Sequence, residues 1–170
     1  MRTIPKKETL TIEFKSDRSN YSDNDLVDEI VGMTNTQGGD LYLGVEDNGE
    51  ITGISQKRTD PIGAVALIAN KTIPSVSTRA EIIEENGLSV LKIEIPMSRT
   101  IVATTDGRIL KRRLKPDGTP ENVPLYPYEI PGRLSELNLL DYSAQIIQNS
   151  SINDLDPNER IRLRNIIQLR

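Results

Sequence analysis

Cysteine, histidine and tryptophan are all absent from the 170-residue chain. Without cysteine, the protein has no disulfide, no thiolate zinc site and no cysteine nucleophile. Without histidine, it has no catalytic triad built on an imidazole. Any catalysis must therefore use carboxylates, lysine, hydroxyl groups or a hard metal ion.

Long apolar segments are also absent. The N-terminal MRTIPKKETL lacks the apolar core of a signal peptide, and no run approaches the length of a membrane span. We therefore predict a cytoplasmic protein without membrane association. Only 4% of the residues are aromatic, so the core must rest on isoleucine, leucine and valine. The length suits one domain, with or without an appendage, because domains commonly have about 100–200 residues.

The chain has fewer basic residues (21) than acidic residues (25). The formal net charge of −4 argues against a dedicated high-affinity DNA binder, because nonspecific affinity comes from neutralising phosphates. Basic residues nevertheless form local clusters, which are Lys6-Lys7, Lys15 with Arg18, Lys57-Arg58 and Lys111 to Lys115. Any one such cluster is more often a solvated face than a binding site.

The N-terminal region has a strand pattern followed by a helix pattern. Residues 9–15 alternate between apolar and polar side chains, which predicts a half-buried strand with Glu13 and Lys15 on its solvent side. Ser22, with an acidic residue three positions later, predicts an N-cap for an amphipathic helix. That helix is expected to end near NTQGG, where Asn35 satisfies local backbone groups.

A second strand is predicted over residues 40–47. Its alternation turns Tyr42 and Glu46 away from the apolar face, and Tyr42 is more often a cross-strand partner than a base-stacking platform in such a position. Asn48-Gly49 then predicts a type I′ hairpin turn, since both residues tolerate positive φ angles.

The rest of the chain adds one more helix and a meander. Asp60-Pro61 predicts a helix start, with an inward face formed by Ile62, Val65, Ala66 and Ala69. Further strands are predicted within 75–83, 88–96, 100–105 and 108–114. This order predicts an α+β fold, a mixed and mostly antiparallel sheet with helices packed on it, plus a helical C-terminal extension.

Composition changes after residue 115 and divides the chain. Residues 1–115 are predicted to form the main domain, and 116–155 a proline-rich loop with a short helix. Residues 156–170 predict the start of another helix, continuing to Arg170 without a stop signal. We therefore expect the natural protein to be longer.

An ordered set of motifs spans the main domain. Glu8, the EFK at Glu13 to Lys15, a helix ending in TNTQGG, and LYLGVEDNGEITG follow one another. Together with IPMS and DGRILKRR, these motifs resemble the Schlafen/AlbA-type DNA-binding domain over roughly residues 8 to 115. Each motif alone is weak, but the ordered set is specific.

The resemblance implies a compact α+β fold that binds nucleic acid, either DNA or RNA. In bacteria such domains usually stand at the N-terminus of predicted transcriptional regulators, often helicase-related and ahead of a GHKL-like, ATP-binding region. In vertebrate relatives the resemblance implies an RNA nuclease whose three acidic residues hold a divalent metal. Those acids match Glu8, Glu13 and Glu46. The relatives have Asp at the third position, and the neighbouring Asp47 is an alternative candidate to Glu46 for that ligand.

The residues themselves leave both interpretations open. Carboxylate oxygens suit Mg²⁺ or Mn²⁺, and such an ion can activate water without histidine. Glu13 and Glu46 would converge if their strands are neighbours. The simpler interpretation is that Glu13 pairs with Lys15 on a solvated face and that Glu46 belongs to an exposed turn.

Three functions are therefore predicted. The first is a nucleic-acid-binding domain that needs no cofactor and contacts phosphates without strong base specificity, through Lys15, Arg18, Lys111 and Arg113. The second is a metal-dependent RNA or tRNA endonuclease, with Lys15 steadying the scissile phosphate. The third is a dimerisation or interaction module for a downstream ATPase region, and a homodimer is also expected for the nuclease.

Overall fold

The computed structural model describes residues 4–141, 148–154 and 156–168. Strands and helices alternate at first and then give way to a run of strands. The strands are β1 (Ile12–Lys15), β2 (Gly39–Leu43), β3 (Thr72–Ile73), β4 (Arg79–Glu85), β5 (Leu88–Ile95), β6 (Ala103–Thr104), β7 (Leu110–Leu114) and β8 (Pro120–Pro124). The helices are α1 (Asp23–Thr34), α2 (Pro61–Lys71), α3 (Ile130–Glu136) and α4 (Pro157–Gln168).

The central sheet has four strands in the order β1-β2-β5-β4. β1 pairs with β2 in parallel, and the other two pairings are antiparallel. β3 with β6 and β7 with β8 form two further two-stranded sheets. The prediction of an α+β fold with a mixed, mostly antiparallel sheet and a helical C-terminal segment is confirmed.

The larger apolar core lies between the sheet and helices α1 and α2. It contains Leu26, Ile30, Leu41, Leu91 and Ile93. Ser22 caps α1 as predicted, because its hydroxyl accepts hydrogen bonds from the backbone N–H groups of Asn24 and Asp25. Helix and sheet thus bury apolar side chains that the sequence pattern identifies.

The opposite face of the sheet carries a second apolar cluster. Phe14, Tyr42, Val45 and Val90 are buried there, and the Phe14 and Tyr42 rings meet edge to face with centroids 6.0 Å apart. Tyr42 does face away from the larger core, but the prediction that this side of β2 is exposed is wrong, because Tyr42 is buried in the second cluster. Its ring is a cross-strand partner of Phe14 and not a base-stacking platform.

Two local predictions are corrected by the structure. Gly49 alone has a positive φ angle at the turn after β2, so Asp47-Asn48 form the centre of the turn, closed by a hydrogen bond from Gly49 N to the Glu46 carbonyl at 2.7 Å. The geometry is thus not a type I′ turn at Asn48-Gly49. Residues 120–124 form β8 and not a loop. The strand can contain two prolines because they stand at its first and last positions and it is an edge strand.

Helix α2 buries a different face from the one predicted. Ala64 and Ile68 face the core, whereas Ile62 is 81% exposed. The helix is apolar nearly all round, so periodicity alone could not decide which side packs against the sheet. An apolar stripe that includes Ile62 and Ala66 therefore faces outward.

The chain separates into two compact units, Met1–Leu139 and Leu140–Arg170. In the second unit, α4 begins as predicted at Asp156-Pro157, where the Asp156 carboxylate accepts a hydrogen bond from the Asn158 N–H at 2.8 Å. The predicted continuation to Arg170 lies outside the described residues. Within the described ranges, no helix has the length and apolarity needed to cross a membrane.

Candidate nucleic-acid interface

Four charged side chains form a closed network beneath α1. Lys15 and Arg112 each contact both Glu13 and Glu29. The Lys15 Nζ to Glu29 Oε1 distance is 3.1 Å, and the Arg112 guanidinium is 3.7 Å from Glu29 Oε2. Two carboxylates and two cations thus balance in charge, and the network joins β1, α1 and β7.

Strand register explains why these charges face inward. Glu13 is opposite Leu41 in the parallel β1–β2 pair, so Glu13 and Lys15 lie on the same side of the sheet as Leu41 and helix α1. Glu13 is consequently buried and not on the predicted solvent face. Arg112 faces inward from β7 while its neighbours Lys111 and Arg113 turn outward, as strand alternation requires.

The network is held by further hydrogen bonds. The Arg112 side chain is 1% exposed and donates to the backbone carbonyls of Thr9 at 3.2 Å and Ile12 at 3.3 Å. Asn122 Nδ2 donates to Glu29 Oε2 at 2.7 Å. Burial alone would lower the pKa of Lys15, but Glu29 and Glu13 outweigh it and hold that pKa above its ordinary value. Lys15 is therefore charged and bound within the protein.

The three carboxylates named by the resemblance lie in three different settings. Glu13 forms ion pairs with Arg112 and Lys15. Glu8 Oε1 accepts a hydrogen bond from the Phe14 N–H at 3.0 Å. Glu46 Oε1 accepts hydrogen bonds from Ser16 Oγ at 2.8 Å and Thr52 Oγ1 at 2.6 Å. In the part of the chain that the structure describes, no three acidic residues are grouped to hold a metal ion.

Glu8 lies near Asp47 as well as Glu13. Burial raises the pKa of Glu8, and the charges of Glu13 and Asp47 raise it further. Glu46 faces Arg18, with the Arg18 Nε 3.4 Å from its carboxylate. Since the Glu13 oxygens are engaged by cations, the three carboxylates as arranged here do not fit a divalent metal.

The four predicted phosphate contacts differ in accessibility. The Arg18 and Arg113 side chains are each 61% exposed, and Arg113 pairs with Glu121 at 2.8 Å. Lys111 contacts Glu129 and is only partly exposed, and Lys15 belongs to the network described above. Arg18 and Arg113 are therefore the two of the four that solvent reaches most readily.

A groove of about 460 Å³ lies between the N-terminal segment and the tip of the β7–β8 hairpin. We call it the hairpin-tip groove, and its lining comprises Lys6, Lys7, Glu8, Asp47, Asn48 and residues 117–120. The Lys115 N–H donates to the Thr119 carbonyl at 2.8 Å, which closes the hairpin beside the groove. The sequence identifies Lys6-Lys7 as a basic pair, but it does not indicate that this pair lies beside the hairpin tip.

Exposed cations lie in this groove and on the segments next to it. Arg18 contacts Glu46 and Glu50, which close the turn that supplies Asp47 and Asn48 to the groove. Lys6 and Lys7 are exposed along its lining, and Lys115 is exposed at the neighbouring hairpin end. The lining itself has two lysines and three acidic residues, Glu8, Asp47 and Asp117.

The fold therefore belongs to the α+β class, with a mixed sheet and a groove beside the β7–β8 hairpin tip that Lys6 and Lys7 help to line. The profile of the Schlafen, AlbA_2 family matches residues 8–117. The chain is a member of that family, as its ordered motifs predict.

Two solved structures provide comparisons of fold. The chain is similar to the DIP2311 protein from Corynebacterium diphtheriae, with a TM-score of 0.62 and 22% identity over 88% of this chain and 32% of that one. It thus spans about a third of that protein. The N-terminal domain of an ATP-dependent DNA helicase RecG-related protein from Nitrosomonas europaea matches with a TM-score of 0.39 and 19% identity, over 54% of this chain and 65% of that one. No curated protein matches the chain.

Proposed function

We propose that this chain is a nucleic-acid-binding domain that contacts phosphates around the hairpin-tip groove. Family membership supports a nucleic-acid-related domain. The observation that carries the proposal is a set of exposed cations. Lys6 and Lys7 line the groove, Arg18 contacts the turn that supplies Asp47 to it, and Arg113 and Lys115 lie on the β7–β8 hairpin. Neutralising phosphates with such side chains releases counterions and supplies sequence-independent affinity.

Surface ion pairs do not prevent this binding. Exposed pairs such as Arg113 with Glu121 typically contribute about 0–1 kcal/mol, so a phosphate can displace the carboxylate with little loss of free energy. Lys15 and Lys111 are weaker candidates, because they would have to leave Glu29 and Glu129. We therefore expect Arg18 and Arg113 to contribute more than Lys15 and Lys111.

Binding through loops and a hairpin tip would carry little base specificity. Contacts to phosphates set the register of a protein on nucleic acid but do not read sequence. We expect similar affinity for different sequences of one nucleic-acid type. Within a longer protein, such a domain would serve a transcriptional regulator by holding it on nucleic acid while other segments provide control.

Native and denaturing gels run from the same tubes test this proposal. The purified protein is incubated at low salt with labelled single-stranded RNA, tRNA and duplex DNA, in either Mn²⁺ or EDTA. We expect a shifted, intact band in both conditions, since phosphate contact needs no metal. An unshifted band for all three substrates would reject nucleic-acid binding and favour the protein-interaction function.

The same gels separate the nuclease function from binding. Shorter products that require Mn²⁺ would assign catalysis to this chain. Glu8→Gln is a better test of the acids than Glu13→Gln, because the substituted amide oxygen can still accept the Phe14 N–H bond, whereas Glu13 holds Arg112 and Lys15. Loss of cleavage in Glu8→Gln, with the shift retained, would link cleavage to the Glu8 carboxylate.

A further inference from the structure

Strand β4 ends the central sheet and leaves a long open edge. It has seven residues and pairs with β5, and no other strand of the described residues pairs with its outer side. The opposite edge, β1, has four residues, and the Ile12 carbonyl there accepts hydrogen bonds from Thr9 N–H and Arg112. An open edge presents backbone N–H and C=O groups that another strand can pair with.

The β4–β5 turn determines which backbone groups face outward. Asn86 and Gly87 have φ angles of 54° and 77°, as in a two-residue type I′ turn, so Glu85 and Leu88 form the last hydrogen-bonded pair. Alternation then directs the N–H and C=O groups of Ala80, Ile82 and Glu84 away from β5. These three residues supply the hydrogen bonds of the open edge.

Helix α2 flanks this edge with apolar surface. α2 packs beside β4, and Leu67, Ala80 and Ile82 are only partly buried there. The exposed face of α2 includes Ile62, Gly63 and Ala66, and the two small residues permit a second helix to approach closely. The open edge of β4 and helix α2 therefore lie next to each other, with partly buried apolar residues at this surface.

We propose that this surface binds a second copy of the chain, with β4 pairing antiparallel to β4 of that copy about a two-fold axis at Ile82. Ala80 then stands opposite Glu84 of the second copy, and the outward backbone groups of both strands are paired. Arg79 stands opposite Glu85 of the second copy, twice in the dimer. The two α2 helices then lie on the same face of the joined sheet, beside the paired strands.

Charge selects this register over its neighbours. Shifting the pairing by one hydrogen-bonded step in one direction brings Glu81 against Glu81 of the second copy. The opposite shift brings Glu81 against Glu85, so both alternatives oppose like charges, which destabilises cross-strand pairs. The self-complementary pattern identifies a second copy, and not an unrelated strand, as the partner.

Charge reversal tests the pairing by sedimentation equilibrium. We expect the wild-type chain to form dimers, and Arg79→Glu to weaken dimerisation by about tenfold or more, because both Arg79–Glu85 contacts become repulsive. Adding Glu85→Arg to Arg79→Glu should restore most of the affinity. A monomeric wild-type chain, or an Arg79→Glu variant that dimerises like the wild type, would overturn the proposal.

A single cysteine provides a second test that does not depend on Glu85, whose carboxylate also accepts the Ile4 N–H. In a hydrogen-bonded antiparallel pair the Cα atoms are about 5.5 Å apart, a separation that a disulfide can span. Ile82→Cys should therefore oxidise to a covalent dimer, and the chain has no native cysteine to interfere. Glu84→Cys is the control, since its two copies would be offset by four residues along the pair and lie about 14 Å apart. Equal cross-linking of both variants, or of neither, would overturn the proposal.

This dimer does not depend on nucleic-acid binding. Its surface comprises β4 and α2, whereas the proposed phosphate contacts lie at the hairpin-tip groove. A variant at Arg79 that becomes monomeric and still binds RNA or DNA would separate the two functions. Failure of the gel shift would leave the sedimentation result as an independent test.

Discussion

Arg112 on β7 binds Glu13 on β1, although 99 residues separate them in the sequence. The pair lies under helix α1, and Glu29 and Lys15 complete the network around it. It attaches the β7–β8 hairpin, whose tip borders the proposed phosphate-binding groove, to the first strand of the central sheet. The charges identified by sequence as surface or catalytic groups thus also support the fold.

Removal of Arg112 is expected to destabilise the protein strongly. Arg112→Ala would leave the buried Glu13 and the partly buried Glu29 to share Lys15, and breaking a buried ion pair in this way typically costs about 3–5 kcal/mol of unfolding free energy. Arg113→Ala, one residue along and exposed, should cost less than about 1 kcal/mol. Urea unfolding measures both, and similar values for the two variants would contradict a structural role for the network.

Asn35 joins the end of α1 to two distant segments. Its Nδ2 donates to the carbonyls of Val102 and Leu110, and its Oδ1 accepts from the Val102 N–H, with distances of 2.7, 2.8 and 2.8 Å. Asn35→Ala leaves buried backbone groups unpaired, so we expect a loss of about 2–4 kcal/mol. Asn70→Ala, at an exposed position of α2, should change stability by less than about 0.5 kcal/mol, as thermal unfolding would report.

Gly39 permits the chain to enter β2 close to the first strand. Its φ angle is +131°, and an added Cβ would lie 2.0 Å from the Thr11 carbonyl oxygen. Gly39→Ala should therefore prevent folding or lower the melting temperature severely, because backbone atoms must move. Gly107→Ala shares a positive φ angle but has open space around it, so its effect should be much smaller. Equal effects would mean that the close approach is unimportant.

Glu8 and Asp23 should change the free energy of unfolding in opposite directions as pH rises. Burial raises the folded-state pKa of Glu8, so its contribution to stability declines as pH rises above its unfolded pKa. The Lys57 hydrogen bond lowers the pKa of Asp23, so its contribution appears above its unfolded pKa and is lost as pH falls. As pH rises from about 2 to 7, Glu8→Gln should gain stability relative to wild type and Asp23→Asn should lose it, with the Asp23 effect confined to pH below about 5. Urea unfolding across that pH range would contradict the account if the two variants followed the same trend.

Local patterns predicted much of the fold. Ser22 and Asp60 were identifiable as helix caps, since both precede apolar stripes, and both accept the expected backbone hydrogen bonds. The apolar alternation of β5 likewise corresponds to buried side chains. These features depend on residues close in sequence, which explains why a single sequence is sufficient to find them.

The candidate site depended on long-range register that no local pattern contains. Glu13 and Lys15 alternate as surface residues would, and only the pairing of Glu13 with Leu41 shows that they face α1. Arg112 could be separated from Lys111 and Arg113 by strand parity, but its partners could not be identified. Glu29 had no distinguishing signal, since a glutamate on an amphipathic helix is usually solvated.

The central claim is phosphate binding at the hairpin-tip groove, and the salt dependence of affinity tests it most directly. Fluorescence anisotropy with labelled RNA and duplex DNA across a salt series should give an affinity that falls steeply with salt. The Arg18→Ala, Arg113→Ala double variant should reduce the slope of log K against log salt by about 1.4–1.8, or 0.7–0.9 per lost contact. Arg162→Ala, which removes a similarly exposed and ion-paired arginine from α4, is the matched control and should leave the slope unchanged. A slope near zero in the wild type, or one that the double variant does not alter, would contradict the account.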